Sequence, residues 1–84
     1  KWHLPSIVPL LIWKMKMKIR NKRRGFVDVR GEKKFHLLKE GEELTVKGHG
    51  QDIFICWATA NRDDGQPFDR LVEVYREDCE VINE

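Results

Sequence analysis

The chain has 84 residues, which is the size of one small domain. Charged residues make up 36% of the sequence and the net charge is +2, a balance typical of a folded globular chain and not of a disordered one. The chain has only two cysteines and no CxxC pair, which argues against a disulfide-rich secreted miniprotein.

The small net charge hides a strong asymmetry along the chain. Residues 1–39 carry twelve Lys or Arg and two acids, a balance of +10, whereas residues 40–84 carry four Lys or Arg and twelve acids, a balance of −8. Two interpretations are open. The two halves lie side by side and neutralise each other across strands, or one face of the domain is basic and meets an anionic partner.

Residues 1–13, "KWHLPSIVPLLIW", are strongly apolar and precede a basic cluster, which is the order found at the cytoplasmic end of a membrane span. The apolar run is about twelve residues, however, and a span needs about 20. Pro5 and Pro9 also interrupt it. We therefore expect an apolar arm that packs on the domain or on another subunit, or the end of a truncated membrane anchor. Its apolar residues are Trp2, Leu4, Ile7, Val8, Leu10, Leu11 and Ile12.

The next segment, "KMKMKIRNKRR", alternates apolar and basic residues from its first position. In a strand, Met15, Met17 and Ile19 share one face and the cations share the other, whereas in a helix Met17 points away from its apolar neighbours. The segment is therefore predicted to be a strand followed by a turn. Its cations are Lys14, Lys16, Lys18, Arg20, Lys22, Arg23 and Arg24.

Alternating apolar residues recur in the rest of the chain, separated by turns about every 8–12 residues. The pairs that define the apolar faces are Val27 and Val29, Phe35 and Leu37, Leu44 and Val46, and Val72 and Val74. "IFICWATA" is apolar on both faces, which predicts a strand covered on both sides. Turns are predicted at Gly31, at Gly41, in "GHGQD" and in "NRDDGQP". This pattern predicts an all-β domain over residues 14–84, a small barrel of five to seven short antiparallel strands.

Residues 38–82 contain three segments, "LLKEGEELTV", "CWATA" and "REDCEVI", that resemble parts of Src-homology-3-type barrels. The first resembles the strand after the first long loop, the second a strand with Trp before a small residue, and the third a closing one-turn helix and last strand. The resemblance implies a barrel and carries no function of its own. Polyproline recognition is not implied, because the chain has a single tyrosine, Tyr75.

No catalytic, cofactor or metal site is predicted. The histidines and cysteines lack the spacing of a zinc site, and we expect a protein that is not an enzyme. For Cys56 and Cys79 two alternatives stand: two free thiols, with Cys56 packed as a small hydrophobe, or one disulfide.

The basic row is the strongest functional signal, because cations spaced along a strand can follow a phosphate backbone. Trp13, Phe26 and Trp57 are candidate platforms for stacking bases. We therefore expect a binding module for an anionic partner, first of all nucleic acid. The alternatives are a subunit or membrane-proximal domain held by the apolar arm, and a guarded edge strand. In the last case acids lie opposite the cations: Glu73, Glu77, Asp78 and Glu80. The expected location is the cytoplasm, with possible membrane association.

Overall fold

One antiparallel sheet of seven strands forms the domain in the computed structural model, which describes residues 17–83. The strands are β1 (Lys18–Asn21), β2 (Gly25–Val29), β3 (Phe35–Leu38), β4 (Glu43–His49), β5 (Ile53–Asn61), β6 (Pro67–Tyr75) and β7 (Cys79–Asn83), with a 3-10 turn at Arg76–Asp78. Their order in the sheet is β3-β2-β6-β5-β4-β1-β7. The predicted all-β fold of five to seven short antiparallel strands is confirmed. The arm predicted over residues 1–13 lies outside the described residues, as do Lys14 and Lys16.

The core takes side chains from every strand of the sheet. Its ten buried apolar residues are Ile19, Val29, Leu38, Leu44, Phe54, Cys56, Ala58, Val72, Val74 and Cys79, and they form one cluster. No α-helix lies within residues 17–83 to cover this cluster. The sheet therefore curls, so that its own strands supply both walls of the core.

The first strand shows the alternation that the sequence predicts. Ile19 is fully buried and Met17 packs against the core, whereas Lys18 and Arg20 are exposed. β1 lies between β4 and β7 and pairs with both, however. The interpretation of this segment as a guarded edge strand is therefore wrong, since β1 has a neighbour on each side.

Two other strands differ from the expectation. In β3 the residues that point inward are His36 and Leu38, and Phe35 is 67% exposed, so the apolar face predicted for this strand is the outer one. In β5 the buried side chains are on one face only. Trp57, on the other face, is 41% exposed, and no described element covers it.

Asn21 stabilises the end of β1 through hydrogen bonds of both its backbone and its side chain. It is buried, its backbone N–H donates to Glu42 O (2.8 Å) and its carbonyl accepts from Gly41 N (2.8 Å). Its side-chain Nδ2 donates to Lys39 O (2.9 Å) and to Arg23 O (2.7 Å). The turn after β3 leads into β4, the neighbour of β1, so the two backbone bonds continue the β1–β4 pairing. The side-chain bond to Lys39 O joins the end of β1 to the first residue after β3.

Three of the predicted turns contain a glycine that takes a backbone conformation unfavourable for other residues. Gly31, Gly41 and Gly65 have φ of 81°, 83° and 89°. The turn predicted in "GHGQD" begins later than expected, because β4 continues to His49 through an irregularity between Val46 and Gly48.

Replacing Asn21 by Ala is expected to lower the free energy of unfolding by about 1–3 kcal/mol, because two carbonyl oxygens lose their buried donor. Asn21→Asp is expected to cost more, since a carboxylate would face those oxygens. Urea denaturation followed by fluorescence measures both. Asn61→Ala, at an exposed position of β5, is the matched control and should change stability by less than about 0.5 kcal/mol. Equal stability of Asn21→Ala and the control would contradict this role.

Candidate binding surface

Four aromatic side chains are exposed on the outer side of the sheet. Phe26 is 71%, Phe35 67%, Tyr75 55% and Trp57 41% exposed. We call the outward side chains of β3, β2, β6 and β5 the aromatic face. Its apolar members are Phe26, Phe35, Leu37, Ile53, Ile55, Trp57, Leu71 and Tyr75. A group of exposed aromatic rings of this size on a small domain is typical of a contact surface.

Strand register sets the arrangement of these side chains. Asp28 pairs with Glu73, and Tyr75 pairs with Ile53, so the register of β2 on β6 brings Phe26 beside Tyr75. Trp57 pairs with Leu71, which precedes Tyr75 by four residues in β6. Phe26 and Trp57, both predicted as stacking platforms, therefore share a face but lie two strands apart. The third predicted platform, Trp13, is outside the described residues.

Phe35 and Tyr75 belong to this surface and were not among the predicted site residues. The signal for Tyr75 was present, because Tyr75 alternates with the buried Val74 and must point outward from β6. For Phe35 the signal was misleading, since the more polar neighbour, His36, is the one that points inward.

Charged groups lie between the rings. Arg30 Nη1 is 2.9 Å from Glu73 Oε2, and Lys47 Nζ is 5.7 Å from the centroid of the Trp57 ring. Asp28 lies beside Glu73 on the neighbouring strand, and Asp69 Oδ1 accepts a hydrogen bond from Thr59 Oγ1 (2.9 Å). The aromatic face thus combines apolar rings with both signs of charge.

A pocket of about 220 Å³ opens on the aromatic face. Its lining residues are Phe26, Val27, Asp28, Ile53, Glu73, Tyr75 and Asp78. Two rings and two aliphatic side chains form part of its wall, and three carboxylates form the rest.

The predicted basic row is partly neutralised by the other half of the chain. Arg20 lies between Glu43 (3.5 Å) and Glu80 (3.3 Å), which belong to the strands on either side of β1. Arg23 is 3.5 Å from Asp78. Two of the acids expected opposite this row, Asp78 and Glu80, are therefore found there, whereas a third, Glu73, pairs with Arg30 instead.

Three cations of the predicted row have no ion pair within residues 17–83. They are Lys18, Lys22 and Arg24, and all three side chains are exposed. The five described cations of the row, set against Glu43, Asp78 and Glu80, leave a local balance of +5 − 3 = +2. Within the described part of the predicted row, the cations without an ion pair are thus Lys18 and two residues of the basic turn, which we define as Lys22–Arg24.

Both cysteines are free and buried in the core. Burial raises the pKa of the Cys56 thiol to about 12, and the nearby Cys79 adds to the shift. Burial likewise raises the pKa of Cys79. A protonated, buried thiol is a poor nucleophile, so these residues act as core side chains.

Within the described part of the chain, no group of three or more His, Cys, Asp or Glu side chains is placed to hold a metal ion. None of the helical structure in residues 17–83 is long and apolar enough to cross a membrane.

His36 is a buried titratable group whose side chain points inward from β3. Its Nδ1 accepts hydrogen bonds from Nη2 (2.8 Å) and Nε (3.2 Å) of Arg70. Burial lowers the pKa of His36, the Arg70 guanidinium lowers it further, and Glu42 opposes the shift. The neutral imidazole is thus the form that fits this position, because it accepts from a guanidinium that carries a fixed charge.

No family model matches the chain, and neither a curated protein nor a solved structure is significantly similar to it. The resemblance to Src-homology-3-type barrels therefore stays a prediction.

Stability is expected to fall as the pH is lowered through the ordinary histidine pKa of about 6.5. A pKa lowered by folding means that the unfolded state binds more protons in this range, so the free energy of unfolding decreases with falling pH. Denaturation between about pH 7.5 and 5.5, on either side of that value, measures the slope. His36→Gln should flatten it. Equal slopes in the two proteins would contradict the assignment.

Proposed function

We propose that this chain is a non-catalytic binding module that holds another protein against its aromatic face. The observation that supports the proposal is the exposure of Phe26, Phe35, Tyr75 and Trp57 on one side of the sheet. Tyr and Trp are the residues that most often dominate the binding energy of protein interfaces. Their rings are rigid, and binding therefore costs little conformational entropy.

The charges on this face favour a protein partner over a nucleic acid. Asp28, Asp69 and Glu73 point outward among the rings, against the cations Arg30 and Lys47. A phosphate backbone laid on this surface would meet more carboxylates than cations, whereas binding to nucleic acid depends on phosphate neutralisation. A protein segment can match both the rings and the mixed charges.

The rings on this face also explain why β5 is apolar on both sides. Its inner side chains, Phe54, Cys56 and Ala58, fill the core. Its outer side chains, Ile53, Ile55 and Trp57, have no described element above them. In this proposal the partner supplies the cover that the sequence pattern predicts for this strand.

Peptides selected from a random phage-displayed library on the full chain are expected to depend on the aromatic face. Trp57→Ser should weaken a selected peptide by about tenfold or more, the loss expected for an aromatic residue at the centre of an interface. Isothermal titration calorimetry measures the affinity. Val81→Ser is the matched control, because Val81 is 50% exposed on β7, outside the face.

Two results would overturn the proposal. One is the absence of any selected peptide whose binding falls with Trp57→Ser. The other is an equal loss with Val81→Ser, which would point to general hydrophobic adhesion. Circular dichroism of each variant verifies that the sheet is intact.

A second candidate function is contact between the basic turn and an anionic partner, with nucleic acid as the partner. The exposure of Lys18, Lys22 and Arg24, without ion pairs among the described residues, favours it. These side chains lie on β1 and in the turn after it, and this turn borders the aromatic face at Asp78, which pairs with Arg23 and lines the pocket. The variants that test the two candidate functions therefore change different residues of neighbouring surfaces.

For this second candidate, the affinity for a short oligothymidine is expected to fall with salt at a log–log slope of about −2 to −3, from three or four phosphates neutralised. Lys22→Ala with Arg24→Ala should make the slope about 1 unit shallower or more, since each phosphate contact contributes about 0.7. Fluorescence anisotropy measures both. Lys33→Ala with Arg62→Ala removes the same charge at exposed positions in the turns after β2 and β5 and is the control. A flat salt dependence, or equal effects of the two double variants, would contradict this function.

A further inference from the structure

From the pocket on the aromatic face, we infer that it receives the cationic side chain, a lysine or an arginine, of the bound protein segment. This inference rests on the proposed function, because it names the chemistry that the aromatic face recognises. The apolar lining residues of the pocket are Phe26, Val27, Ile53 and Tyr75, and its acidic lining residues are Asp28, Glu73 and Asp78.

The apolar part of the pocket can contact both the aliphatic stem and the charged end of a lysine or arginine side chain. Lysine and arginine carry an aliphatic stem that packs on apolar surface while the charged end reaches a polar group. Phe26 and Tyr75 also present aromatic rings, and a ring attracts a cation placed over its face. Both rings are more than half exposed, so they are open to a ligand.

The acidic part of the pocket contains one carboxylate that has no ion pair among the described residues. Glu73 is engaged by Arg30 at 2.9 Å and Asp78 by Arg23 at 3.5 Å. Asp28 has no ion pair among the described residues, and its partner across the strands is Glu73. Two carboxylates directly opposite each other on a sheet destabilise it, and a cation placed between them relieves the repulsion.

The size of the pocket limits what it can hold. Its volume of about 220 Å³ is below the range of about 300–1,000 Å³ that is usual for small-molecule sites. A single side chain is therefore a better match than a metabolite. A bare metal ion is a poor match as well, because the described carboxylates are not grouped closely enough to ligate one.

Blocked amino acids test the pocket without changing the protein. Nα-acetyl-lysine methylamide, the arginine analogue and the norleucine analogue are titrated into the full ¹⁵N-labelled chain. Lysine or arginine is expected to shift the backbone amide signals of Phe26, Asp28 and Tyr75, and norleucine, which has the stem without the charge, is not. No shift with either cation, or an equal shift with norleucine, would overturn the inference.

The selected peptides provide the second arm of the test. Replacing their lysine or arginine by norleucine should weaken binding about fivefold, the effect of one exposed cation–π contact or ion pair. Asp28→Asn should cause a loss of similar size, because it removes the free carboxylate and keeps its shape. Asp63→Asn, which makes the same charge change in the exposed loop after β5, is the control and should have no effect.

The outcomes separate this inference from the proposed function. Peptides that depend on Trp57 but bind equally well with norleucine would refute the cationic pocket and leave the aromatic face as a binding surface. If no peptide depends on Trp57, the proposed function itself fails. Loss of binding on both norleucine replacement and Asp28→Asn supports the two together.

Discussion

A single sheet that must enclose its own core is the constraint from which the rest of this structure follows. Residues 17–83 contain no α-helix, and within this range the inward side chains of the seven strands pack against one another and against Met17. The sheet satisfies this constraint by curling, and Asn21 holds the curl where the end of β1 meets the turn after β3. A buried amide can do this because it supplies donors to two carbonyl groups that would otherwise be unpaired.

The curl of the sheet also determines which side chains remain exposed. Every strand has one face in the core, and the other face has no second layer among the described residues. For β1 and β7 the outer face is largely charged, which solvent tolerates. For β2, β5 and β6 the outer face carries Phe26, Trp57 and Tyr75. A small domain that leaves these rings exposed lowers its own solubility, and a partner that covers them removes this disadvantage.

The sequence was sufficient for the strands and for most of the core, because alternation with a period of two is a strong signal. Leu44, Val72 and Val74, for example, are buried in the core, as the alternation predicts. The pattern failed at β3, where a polar residue, His36, points inward because Arg70 from β6 offers it a hydrogen bond. The hydropathy pattern cannot show that Arg70 is a hydrogen-bond partner of His36, because this contact depends on the order of the strands in the sheet. The role of Asn21 was hidden for the same reason.

The charge asymmetry of the sequence is a second pattern whose structural outcome depends on the strand order. The difference of +10 against −8 between the two parts of the sequence is large, but the fold places β1 between β4 and β7, which supply Glu43 and Glu80. Arg20 then lies between two glutamates, and the linear asymmetry becomes a set of local pairs. Among the described residues, Asp28 is a carboxylate of the aromatic face that has no ion pair, and it lies opposite Glu73 on the neighbouring strand. A chain whose most conspicuous segment is basic thus presents an acidic side chain among its exposed rings.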